Sequence, residues 1–144
     1  VSISINNIEE FVTEAMLYKA QEIISKGAIE SIEQYKTNEY LAIVSGTKNY
    51  SVNIVLDSKS NLFTHRCDCP YDASPICKHK LAVICHIKNS IKQGLAILPG
   101  ILTQTEEVLN TYNSEQLRQL IIELIKQNHH NRRLIIQLLD MRID

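Results

Sequence analysis

Cys67 and Cys69 stand one residue apart, and after a seven-residue gap Cys77 and His79 repeat that spacing. Three thiols and an imidazole within thirteen residues match a four-coordinate tetrahedral zinc site. Zn–S bonds of about 2.3 Å and Zn–N bonds of about 2.0 Å oblige the backbone to offer two ligands from one rigid piece and two from another. Side chains alternate along a strand, so Cys67 and Cys69 are expected on one face and Asp68 on the other. Pro70 should end that strand, because it lacks an N–H and holds Cys69 extended. Residues 70–76, with Pro70 and Pro75 among them, act as a spacer that turns the chain. On a helix, positions two apart lie about 200° round from each other. Cys77 is therefore expected just before a helix, with His79 in its first turn.

Other uses of these cysteines fit less well. A disulfide framework would accompany a secretory signal, and the N-terminal residues do not read as one. A redox pair at Cys67 and Cys69 leaves the spacing of Cys77 and His79 unexplained. His65 shares the strand face of Cys67 and is an alternative ligand or a group supporting one. Cys85 reads as a small buried apolar residue, and His86 as a surface residue or a support for the ligands. Four protein ligands leave no open coordination position, so the zinc is expected to be structural. Three thiolates against one divalent ion leave a net charge of −1, which Arg66, Lys78 and Lys80 flank with positive charge.

The pattern Cys-x-Cys-x7-Cys-x-His followed by Lys80-Leu81-Ala82-Val83-Ile84 closely resembles the SWIM zinc finger. The resemblance continues upstream in Gly27-Ala28-Ile29 and in Ser45-Gly46-Thr47-Lys48-Asn49-Tyr50-Ser51-Val52, and spans about residues 8 to 92. It implies Zn2+ held by Cys67, Cys69, Cys77 and His79. It also implies interaction with DNA or with proteins, since such fingers accompany Mutator-type transposases and bacterial ATPases of the Swi/Snf helicase class. On this likeness the chain is expected to be the N-terminal region of a helicase-associated protein, with an ATPase domain of the same parent chain as one possible partner.

Periodicity fills in the surroundings, and the expected class is α+β. Ile8, Phe11, Val12, Ala15, Met16, Ala20, Ile23 and Ile24 recur at helical spacing. Asn7 and Glu10 suit an N-cap and its reciprocal partner, and Gly27 a stop. Strands are expected near 28–35, 40–45, 50–56 and 62–67, as an antiparallel meander whose last member delivers the first two cysteines. A helix from His79 to about Gln93, ended by Gly94, should pack on the sheet through Leu81, Ile84, Ile87 and Ile91. This gives a finger domain over 1–94, a linker over 95–102 and a helical hairpin over 103–144. Within the last, a short helix over 103–110 precedes one capped by Asn113 or Ser114 and carrying Leu117, Leu120, Ile121, Leu124 and Ile125. A polar turn over 128–131 then leads to a final helix with Leu134, Ile135, Leu138 and Leu139.

The chain is near neutral at −1, which argues against a general polyanion binder, but the charge is unevenly spread. Residues 1–56 sum to −3, residues 57–92 to +3 and residues 93–144 to −1. Lys78, Lys80, Lys88 and Lys92 follow roughly helical spacing, where they could meet a phosphate backbone or simply face solvent. Arg132 and Arg133 open the last helix, where the macrodipole disfavours cations, and are a second candidate contact. With six Tyr, two Phe and no Trp, base stacking has little to work with. No apolar run reaches the roughly 18 residues of a membrane helix, so no membrane partner is expected, and the cytoplasm is the expected setting. No serine or carboxylate constellation suits an enzyme, and no small-molecule substrate is expected. The remaining readings are a DNA-docking module, a protein-interaction module and, last, a thiol redox enzyme.

Overall fold

The computed structural model describes residues 2–71 and 73–143, with side chains through Leu139. Asp72, inside the seven-residue spacer, lies outside the described residues. The class is α+β, as expected. A 3-10 turn over Ile5–Phe11 leads into α1 (Glu14–Ser25), followed by β1 (Ile29–Lys36), β2 (Glu39–Ser45), β3 (Asn49–Leu56) and β4 (Leu62–Cys67). Helices α2 (Lys78–Gln93), α3 (Ile101–Leu109), α4 (Ser114–Gln127) and α5 (His129–Ile143) complete the chain. Every strand lies within one residue of its predicted range.

The strands form one antiparallel sheet in the order β1-β2-β3-β4. Pairing Tyr40 with Ile54, Ala42 with Val52 and Val44 with Tyr50 puts all six on one face, where they are buried. That face packs against α2, whose Leu81, Ala82, Val83, Ile84, Cys85 and Ile87 are all buried, and α2 also packs against α1. Ile91, expected on the same face, is instead 53 % exposed, while its neighbour Ser90 is buried.

The expected first helix is two pieces. Val12 is extended (φ −132°, ψ 161°), and Thr13 restarts the helix as an N-cap whose hydroxyl accepts from Met16 N–H at 3.1 Å. Asn7 is not the cap; Ser4 fills that role for the 3-10 turn, while Asn7 has non-helical angles inside it and donates to Glu10 at 3.4 Å. Apolar periodicity ran unbroken across Val12 because both pieces bury residues in the same core. The end of α1 follows expectation: Gly27 has φ +67°, and the N–H groups of Gly27 and Ala28 donate to the carbonyls of Ile24 and Ile23.

The chain divides into two compact units, Val1–Thr103 and Gln104–Asp144. Within the first unit, the segment after α2 runs beside β1: Gln34 N–H donates to Leu98 O at 3.0 Å and Leu102 N–H to the Glu33 carboxylate at 3.2 Å. These bonds occupy an edge that would otherwise stand open. A Cβ on Gly100 would run into the Glu33 side chain, so only glycine fits this close approach. In the second unit, Asn113 and Gln116 cap α4 reciprocally. The polar turn is shorter than expected, since α5 begins at His129. Asn128 alone breaks the helix, its side chain accepting from Asn131 N–H at 2.8 Å and so capping α5 at once.

Candidate metal centre

Two pieces of backbone converge on the centre. Cys67 is the last residue of β4, paired with Val52 on β3. The strand ends there rather than at Pro70. Asp68 turns its carboxylate back to accept from Ser51 N–H at 2.8 Å, and this bends the chain so that Cys69 follows outside the ladder. The geometry of the second pair is the one the spacing required. Cys77 is the N-cap of α2 (φ −82°, ψ 170°), its sulfur accepting from Lys80 N–H at 3.4 Å, and His79 lies in the first turn.

The donor atoms of Cys67, Cys69, Cys77 and His79 all lie within 4.8 Å of one another. His79 Nδ1 is 3.9 Å from Cys67 Sγ and 4.0 Å from Cys77 Sγ. Zinc bond lengths at a tetrahedral angle require donor separations of about 3.6 to 3.8 Å, so a small contraction closes the set on one ion. Cys77 and His79 are buried, and Cys67 and Cys69 half-buried. The His79 ring lies 4.5 Å from that of Tyr50, whose hydroxyl is 2.8 Å from Thr47 Oγ1. This contact fixes the imidazole from the sheet side.

Two of the three metal-free thiols are held off their charged form. Burial pushes Cys67 up to about 12, with the neighbouring Cys77 adding to the rise, and burial likewise raises Cys77. Burial also acts to raise Cys69, but the Tyr71 backbone N–H, the two neighbouring thiols and Lys80 outweigh it and lower the net value. His79 is lowered, first by burial and then by Lys78, so its imidazole is neutral and free to coordinate. A divalent cation is the natural counterpart of such a cluster, because thiolates and neutral imidazole are the forms that bind it.

Sequence reasoning missed the anchors of the spacer loop. Ile76 is buried in the core, and Lys80 Nζ donates to Pro75 O at 2.9 Å while lying 3.1 Å from His65 Nδ1. A lone isoleucine beside a cysteine was the available signal. His65, engaged with Lys80, stands outside the donor cluster, and Cys85 is buried in α2 as expected.

The flanking cations differ in what holds them. Lys80 is tied into the loop. Lys88 is paired with Glu9 at 2.6 Å, which lowers the Glu9 carboxyl. Arg66 pairs in register with Asn53 on the face of the sheet away from the core. Lys78 and Lys92 are exposed on α2, and Arg132 and Arg133 are exposed on α5. Beside the centre opens a cleft of about 440 Å³, bordered by Met16, Lys19, Thr47, Tyr71 and Lys78.

Residues 50–88 match the family model of the SWIM zinc finger. No curated protein and no solved structure matches the chain.

Proposed function

We propose that this chain, whose residues 50–88 form a SWIM zinc finger that binds Zn2+, is a non-catalytic interaction module with a protein as its partner. Cys67, Cys69, Cys77 and His79 are the ligands, and the ion fixes the junction between β4 and α2. The observation that carries this reading is the closure of the donor set: four protein groups within 4.8 Å fill a tetrahedron and leave no position for a substrate or an activated water. Zinc there supplies folding energy, while the chain's own residues supply the recognition surface.

A protein partner is favoured because the finger's candidate contact cations are partly taken up by the fold itself. Of Arg66, Lys78, Lys80, Lys88 and Lys92, Lys80 and Lys88 are engaged within the fold, and Arg66 lies on the opposite face of the sheet from α2. Tyr18 and Phe63, 67 % and 72 % exposed, offer apolar contacts instead. DNA is the second reading, supported by Lys19 and Lys78 at the mouth of the cleft. A place beside a Swi/Snf-class ATPase, in the same parent chain or another, rests on family likeness alone. Free cysteines suit a reducing, intracellular setting. No helix among the described residues is long and apolar enough to cross a membrane.

Fluorescence titration with duplex DNA at two salt concentrations separates the readings. A protein-directed module gives no binding at low salt, or weak binding with a salt slope of about 1 or less. Tight binding that weakens steeply as salt rises establishes phosphate contacts and replaces the protein reading.

A further inference from the structure

We propose that the α4–α5 hairpin is a self-association surface whose occupant is the same hairpin of a second copy of this chain. Among the described residues of the second unit none is buried, although both helices are rich in Leu and Ile. On α4, Ile122 and Ile125 are half-buried, whereas Leu120, Ile121 and Leu124 stay open. On α5, Ile135 is half-buried, whereas Leu134, Ile136, Leu138 and Leu139 stay open. Each of these seven open residues is between 40 and 54 % exposed. The apolar positions of α5 sweep roughly 200° of its circumference, more than one neighbouring helix can cover. A helix apolar over so wide an arc is stable only with neighbours on more than one side.

The chemistry of the face selects a like partner. Its seven open residues are all aliphatic, with no aromatic anchor of the kind that dominates recognition between unlike proteins, and Arg132 stands at the end of the face in the first turn of α5. No acid or base interrupts the stripe of α4, and the charges beside it are paired within the helix, Arg118 with Glu115 at 3.8 Å and Lys126 with Glu123 at 3.4 Å. Two copies can therefore bring their α4 stripes together about a two-fold axis without like charges meeting along them, while Arg132 and Arg133 sit at the end of the face near the start of α5. The seven open side chains present on the order of 600 Å² per hairpin, so pairing removes about 1,200 Å², the lower end of a stable specific interface. The product is a four-helix bundle, in which each stripe covers the other.

The proposal does not depend on what the zinc finger binds, and zinc content serves as the check on the first unit. Sedimentation equilibrium of the full, zinc-loaded chain should give twice the 16.4 kDa chain mass at micromolar concentrations and above. Leu124→Lys combined with Leu138→Lys should raise the dissociation constant by about a hundredfold or more and keep one zinc per chain. In the unaltered protein, hydrogen exchange of α4 and α5 amides should slow as concentration rises. A chain that stays monomeric at high concentration overturns the proposal. So does a dimer whose concentration-dependent protection lies on other elements. A monomer whose α4 and α5 amides are protected at every concentration overturns it too, since the first unit would then be the cover.

Discussion

Cys77 has two roles that are separable at the level of one atom. Its sulfur faces His79 Nδ1 at 4.0 Å as a prospective ligand and accepts from Lys80 N–H as the cap of α2. Serine is among the better capping residues and a poor substitute for a zinc thiolate. Cys77→Ser should therefore lose stoichiometric zinc and, with it, the native junction of β4 and α2, even though serine can still cap a helix, and Cys77→Ala should lose the cap as well. Metal analysis with hydrogen exchange at Lys80 checks this; full zinc in the serine variant would remove Cys77 from the ligand set. The Glu9–Lys88 pair makes a second prediction at this scale. Its hydrogen bond lowers the folded carboxyl below the ordinary range, so its contribution is present above the unfolded value and is lost as pH falls through the folded one. The pair is partly exposed, which limits it to about 0.5 kcal/mol. The stability gap between wild type and Glu9→Gln should thus be small near neutrality and close in acid, as chemical denaturation across pH would register.

At the scale of the element, boundaries are decided by single caps and left-handed turns. Thr13 divides what periodicity presents as one helix, and its hydroxyl bond to Met16 N–H is the reason α1 starts where it does. Thr13→Ala should cost about 1 kcal/mol, read from the denaturation midpoint. Gly94→Ala should cost a similar amount, because φ +69° is strained for any residue with a Cβ even where nothing crowds it. Strand positions were legible to within a residue because the inward face of β2 and β3 alternates without a break, and one slip would turn every buried side chain outward. The end of β4 was not. Asp68, rather than Pro70, stops the strand, through a carboxylate bond to Ser51 N–H across the hairpin that no local pattern announces.

For the whole molecule, zinc uptake is a folding event that releases protons. The thiols of Cys67 and Cys77 are raised by burial, so at neutral pH they are protonated until the metal displaces their protons. Calorimetry in buffers of differing ionisation enthalpy should find about two protons released per zinc from Cys67 and Cys77, with Cys69 adding up to one more, and a chelator should unfold the finger. A metal-free chain with native sheet and helix signals would contradict the structural role. The cysteine and histidine spacing, the strand alternation and the glycine stops determined the α+β class, the donor set and the order of elements, because each is a local periodicity or a local valence rule. Tertiary structure alone decided which cations stay available. Lys80 and Lys88 have suitable spacing for a phosphate track, but one is drawn to the Pro75 carbonyl and the other to Glu9, a partner 79 residues away in sequence. Charge on a helix is a property of sequence, whereas its neutralisation depends on distances that exist only once the chain has folded.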